Sequence, residues 1–180
     1  MFGSADTTVV RLGHRPGRDE RTTTHVALVA RAFGADHAII PETASQAVET
    51  VDDITQRFGG PFEVTAVGNP IRWLREQEGT IVHLTMYGEP VQTVVEDIHH
   101  APTSEPLLVA VGAGKVPAEL YELADWNVAV TNQPHSEIAA LAVFLDRLSD
   151  GRALETTFTD GDVTVIPSER GKQVEPTTEE

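Results

Sequence analysis

The 180-residue chain has no cysteine, and that absence excludes disulfides, thiolate catalysis and cysteine-ligated zinc together. Lysine is almost missing as well, occurring only as Lys115 and Lys172. No apolar run approaches the roughly 18 residues that a membrane helix requires. The first residues, MFGSADTT, have neither the basic start nor the apolar core of a signal peptide. These absences lead to the expectation of a cytoplasmic protein without membrane or metal partners.

What is abundant is acid. Asp and Glu total 28 against 13 Lys and Arg, a net charge of −15, and this balance reads as adaptation to molar salt. At ordinary ionic strength it would argue against a nucleic-acid partner, because phosphate binding uses basic patches. At 1 M salt the Debye length is only about 3 Å, so local charge counts for more than net charge. Local charge does depart from the mean: Arg11 to Arg31 carries five arginines and two acids.

Apolar spacing along the chain alternates between the periods of strands and helices. Strands are expected at 8–12, 37–40, 62–67, 81–85, 107–111, 127–130 and 163–166. Helices are expected at 22–33, 43–58, 70–77, 91–98, after Pro117, and at 136–148. The alternation predicts an α/β fold, a mostly parallel sheet with helices on both faces. Residues 1–171 read as one domain, and 172–180 as a disordered acidic tail.

Three strand ends carry loops that suit a small ligand. They are His83 to Gly88, Gly112 to Pro117 and Thr131 to Ser136, and a parallel sheet brings such ends to one edge. Glycine in these turns lets backbone amides approach a ligand closely. Other site types fail on their own residues. Gly114-Lys115 lacks both the first glycine and the Ser or Thr of a phosphate-binding P-loop, since Val109 and Val116 stand there. His135-Ser136-Glu137 matches the H-x-E of zinc deaminases without their cysteines. The His99-His100 pair has no partner spacing and reads as solvated.

Read together, RLGHRPGRDERTTTHVALVARAFGAD, GGPF, VHLTMYGEPV, VGAGKVP, YELADWNVAV and NQPHSEIAALAVFLDRL are far more specific than any one loop. In this order they closely resemble the SPOUT methyltransferases, in the archaeal branch that methylates the ribose 2′-hydroxyl of cytidine 56 in the tRNA T-loop. The resemblance spans Thr8 to about Gly171. It implies a C-terminal deep trefoil knot, a homodimer, and S-adenosyl-L-methionine as cofactor. Carried over position by position, the cofactor would be held by Leu84, by Gly112, Ala113, Gly114, Lys115 and Val116, and by Val130, Thr131, Asn132, Gln133, Pro134, His135, Ser136 and Glu137. Ala139, Ala140 and Ala142 on the last helix would suit close packing between subunits.

The chain departs from the family pattern at three positions. Gly114 stands where relatives usually have Glu, and Thr131 where they usually have Gly. Leu28 occupies the first-motif position where many SPOUT ribose methyltransferases have arginine. The catalytic candidates are therefore Arg21, His25 and Arg31, with Arg11, His14, Arg15 and Arg18 as contacts for the substrate RNA. Because guanidinium is effectively always charged, an arginine here is expected to hold phosphate and stabilise a developing alkoxide rather than act as a base. The alternatives are a SPOUT enzyme for another RNA nucleotide and a non-catalytic RNA- or cofactor-binding module.

Overall fold

The computed structural model describes residues 6–100, 105–112, 114 and 116–177. Its centre is a six-stranded sheet built from β1 (Thr7–Arg11), β2 (His37–Pro41), β3 (Glu63–Val67), β4 (Thr80–Pro90), β5 (Leu107–Val111) and β6 (Trp126–Ala129). The order is β3-β2-β1-β5-β4-β6, and all five neighbouring pairs are parallel. Parallel strands with both faces covered read as continuous apolar runs. The central strands TTVVR and LLVAV, buried at every residue, show this.

Helices cover both faces, as the alternation predicts. On one side, α1 (Glu20–Ala32), α2 (Gln46–Phe58), α4 (Val91–His99) and α6 (Glu137–Leu148) bury Val26, Val51, Val94, Leu141 and Phe144 against the sheet. On the other, α3 (Pro70–Glu76) and α5 (Ala118–Leu123) contribute Leu74 and Leu120 to a smaller cluster with Val10, Ile39, Ile81 and Leu108. Two helix starts follow from local chemistry. The Asn69 side chain accepts from the Arg72 amide at 3.0 Å with Pro70 next in line, and the Ser136 hydroxyl accepts from the Ile138 amide at 3.2 Å.

Two expectations are corrected. The strand placed at 81–85 runs from Thr80 to Pro90, interrupted by an excursion: Leu84 and Glu89 both pair with Val128 of β6. Thr85 to Gly88 therefore loop out of the sheet between two pairings to one residue. Gly88 permits the return, since a β-carbon there would lie 2.5 Å from the Val128 nitrogen and also strike the Asn127 carbonyl. The tail assigned to 172–180 begins instead with a strand. Residues Gln173–Pro176, β8, pair antiparallel with β7 (Val163–Ile166), setting Val165 opposite Val174. Alternation across QVEP is too short to stand out, and the acidic composition around it masked the pairing. Residues 178–180 lie outside the described residues.

Candidate active site

The C-terminal ends of β1, β4, β5 and β6 lie along one edge of the sheet, and a cavity of about 650 Å³ opens there. All three predicted loops contribute to it. Leu84, Gly112, Gly114, Val116, Pro134, His135 and Glu137 line the cavity. Ala113 and Lys115 lie outside the described residues. Val130, Thr131, Asn132, Gln133 and Ser136 do not line it, and two of them act as braces. Asn132 donates to the Met86 carbonyl at 2.8 Å and the Gly88 carbonyl at 3.1 Å, while Ser136 caps α6. His83, Thr85, Met86, Tyr87, Val111, Tyr121 and Ala140 complete the wall. Tyr121 was not legible, because a lone aromatic on a short helix carries no sign of the cavity it faces.

Arg11 is the first major correction. Expected at the RNA surface, it is fully buried at the end of β1. Its Nη1 donates to the Gly112 carbonyl at 2.9 Å and to Glu137 Oε1 at 3.0 Å. There the guanidinium ties the second loop to the start of α6. Arg31 is the second correction. It lies ten residues beyond Arg21, about 15 Å along the helix at 1.5 Å per residue. There its buried guanidinium donates to the Gly59 carbonyl and stacks 4.8 Å from the Phe158 ring. Burial lowers its pKa. It fastens α1 to the Gly59 turn and the C-terminal segment, away from the cavity.

His14, Arg21 and His25 gather in a second, smaller depression of about 450 Å³, with Glu20 and Thr24 on their side and Thr43 to Ala47 and Thr50 on the other, whereas Arg15 and Arg18 do not line it. Arg21 and His25 are four residues apart, so they share one exposed helix face. His14 Nδ1 lies 2.9 Å from the Thr23 hydroxyl. Arg18 and Arg21 are exposed and enter no ion pair among the described residues. Arg15 is paired instead: its Nε and Nη2 donate to Asp19 at 2.7 and 2.8 Å. That contact holds the Asp19 carboxyl down at about 2, and Asp19 and then Glu137 raise Arg15. His14 in the depression is only three positions along the chain from Arg11 under the cavity, a span of at most about 11 Å. The two hollows are neighbours.

His83 is buried beneath the cavity and hydrogen-bonded to Asn127 Oδ1 at 2.9 Å. Asn127 Nδ2 is committed as donor to the Tyr121 carbonyl at 2.9 Å, so the imidazole proton sits on Nδ1. Its ring meets Tyr121 edge-on at 4.8 Å. Burial lowers the His83 pKa from its ordinary 6.5. The folded chain thus keeps His83 neutral where the unfolded chain takes up a proton, so its contribution to stability is complete above about pH 6.5 and is lost as pH falls below it. Melting temperatures measured from about pH 8 to about 5 should fall more steeply for the wild type than for His83→Gln. Equal slopes would contradict the assignment.

Among the described residues, no group of three or more His, Asp or Glu is placed to hold a metal ion, and no helix is long and apolar enough to cross a membrane. Residues 58–175 match the family model described as tRNA ribose 2′-O-methyltransferase, aTrm56. The chain is 59% identical over 180 residues to the tRNA (cytidine(56)-2′-O)-methyltransferase of Haloarcula marismortui, covering all of both chains. It is 54% identical over 170 residues to the enzyme of the same name from Thermococcus kodakarensis, covering 92% of this chain and 94% of that one. Among solved structures, the A. aeolicus TrmH/SpoU tRNA modifying enzyme superposes with a TM-score of 0.54 at 13% identity, covering 84% of this chain and 77% of that one. The SpoU methyltransferase AviRb from Streptomyces viridochromogenes, in complex with AdoMet, gives 0.54 at 14% identity over 83% of this chain and 58% of its own. At such identities the two structures speak for the fold alone, a parallel α/β sheet covered by helices.

Proposed function

The chain belongs to the tRNA ribose 2′-O-methyltransferase family, and from that premise we propose that the three-loop cavity holds S-adenosyl-L-methionine while the adjoining depression receives tRNA. The reaction is methyl transfer from that cofactor to the ribose 2′-hydroxyl of cytidine 56 in the T-loop. The observation that carries the assignment of the site is the convergence of Leu84, Gly112 and Glu137 on one cavity beside Arg21 and His25.

The cavity fits the group assigned to it. Its volume is within the usual range for cofactor sites, about 300–1,000 Å³. Leu84, Val111, Val116 and Ala140 give it apolar walls, and Gly112 and Gly114 expose main chain to the ligand. Glu137 supplies a carboxylate for a positively charged ligand, its own charge balanced by Arg11. When bound, the sulfonium supplies an already activated methyl group, so the scheme calls for no metal. The protein's remaining work is to align the 2′-hydroxyl and help remove its proton. Alignment alone supplies about 7–11 kcal/mol in favourable cases. Arg21 holds the neighbouring phosphate and stabilises the negative charge growing on the 2′-oxygen. His25, one turn further along the same face, accepts the hydroxyl proton. His14, Arg15 and Arg18 contact the RNA backbone around the entrance.

The finer parts of the reading follow from the family. The chain acts in the cytoplasm as a homodimer, with its C-terminal part threaded into a trefoil knot. Ala139 and Val143 are exposed on the outward face of α6 with Ala142 half-buried between them, a smooth stripe for a second copy. Ala140 takes no part in that stripe, because it is buried toward the cavity.

Labelled S-adenosyl-L-methionine, the purified chain and an unmodified archaeal tRNA transcript in concentrated KCl should yield one 2′-O-methyl group, mapped to cytidine 56. Label at another nucleotide would favour a different RNA target, and cofactor uptake without transfer would favour a binding module.

A further inference from the structure

We infer that Tyr87 is the platform on which a base of the substrate RNA stacks while its ribose is methylated. The inference rests on the methyltransferase reading above and names a contact of the same site. Tyr87 is 76% exposed, the only exposed Phe, Tyr or Trp among the described residues. It nevertheless lines the cofactor cavity. Its ring meets no other ring and no cation among the described residues. An aromatic left facing solvent at the rim of a cavity has a free face to offer.

The backbone beneath Tyr87 is built to hold it there. Thr85 to Gly88 leave the sheet between two pairings to Val128, which makes Tyr87 part of a short loop with both ends anchored to one residue of β6. The carbonyls on either side of Tyr87, those of Met86 and Gly88, both accept from Asn132 Nδ2 at 2.8 and 3.1 Å. The Tyr87 amide donates to the Thr85 hydroxyl at 3.4 Å, and that hydroxyl lies 3.1 Å from the Tyr121 hydroxyl. The loop that presents the ring is therefore braced by the third cofactor loop. Such excursions from a ladder re-aim side chains beside active sites.

Chemistry identifies the occupant. A 2′-hydroxyl presented to a methyl group in the cavity belongs to C2′, and the base hangs from the adjacent carbon. The base must then lie at the rim, outside the cavity, where Tyr87 stands. Single nucleotides are recognised by splaying the base out and stacking it on an aromatic side chain. Stacking also suits this composition. A chain of net charge −15 gains little from distant phosphate attraction, least of all where salt screens it, whereas stacking depends little on salt.

The test compares Tyr87→Ala, Tyr87→Phe and Tyr87→Trp for methyl transfer to tRNA and for cofactor affinity by calorimetry, at low and high KCl. Tyr87→Ala, assayed at saturating cofactor, should lose about 5- to 150-fold in kcat/KM for tRNA. That loss should be similar at both salt concentrations. Phe and Trp should recover most of it. The inference is overturned if Tyr87→Ala turns tRNA over as the wild type does, or if Phe is as impaired as Ala. It is also overturned if light scattering shows that Tyr87→Ala changes the subunit number, because the ring would then be a subunit contact. A wild-type chain that takes up cofactor yet methylates no tRNA overturns the underlying reading as well, whereas an active wild type with an unaffected Ala variant overturns this inference alone.

Discussion

Glu137→Ala should destabilise the folded chain by about 3 kcal/mol, measured by urea or thermal unfolding in concentrated KCl. Among the described residues, Glu137 is the sole carboxylate paired with Arg11, whose side chain is fully buried at the end of β1. Removing one member of a buried ion pair leaves the other charge in a medium that solvates it poorly, at a cost of about 3–5 kcal/mol. The lower end applies because the Glu137 side chain is 34% exposed, so part of the pair already sees water. Arg11→Met should cost less, since the carboxylate it leaves behind can hydrate in the cavity. The order of the two variants is the sharper result. A Glu137→Ala loss below about 1 kcal/mol would instead class the contact with surface pairs, which contribute little. Both variants should also weaken cofactor binding, because Arg11 joins the Gly112 loop to the first residue of α6.

Arg21→Ala should lower kcat about 10²- to 10³-fold while leaving S-adenosyl-L-methionine affinity unchanged. That is the usual loss when one donor aimed at developing negative charge is removed. The separation of readouts follows from position. Arg21 lies in the depression with His14 and His25, and no residue lining the three-loop cavity belongs to that depression. Should the variant raise KM for tRNA and leave kcat intact, Arg21 holds phosphate without acting on the transition state. Unchanged turnover would remove it from the mechanism altogether.

How much of this was legible depended on what each residue touches. Strand and helix placement followed from apolar periodicity, because strands such as LLVAV are covered on both faces, whereas the strand order rests on long-range pairing that no segment carries alone. The three loops were legible since a parallel sheet puts its strand ends on one edge. The first motif was harder. Five arginines within 21 residues suggested one basic surface, yet they have four different environments. Arg11 is buried under the cavity, Arg15 is clamped by Asp19, Arg31 anchors the Gly59 turn, and Arg18 and Arg21 alone are exposed without an ion partner among the described residues. Charge counting cannot separate these cases, because burial at a strand end or ten residues down a helix is decided by long-range packing. The excursion at Thr85 to Gly88 was equally hidden. Its sign is a register shift against Val128, a fact about two strands that neither strand carries alone.

Environment also sorts the histidines. His83 is neutral and committed to Asn127, whereas His25 shares an open helix face with Arg21. A shared residue type thus divides into one that braces the floor of the three-loop cavity and one that stands on an open helix face.

The most direct measurement is a crystal structure of the chain with S-adenosyl-L-methionine, grown in concentrated KCl. The cofactor should lie between Leu84, Gly112 and Glu137, with its methyl group facing the entrance flanked by Arg21 and His25. Cofactor density in the depression of His14, Arg21 and His25, or outside the three loops, would contradict it.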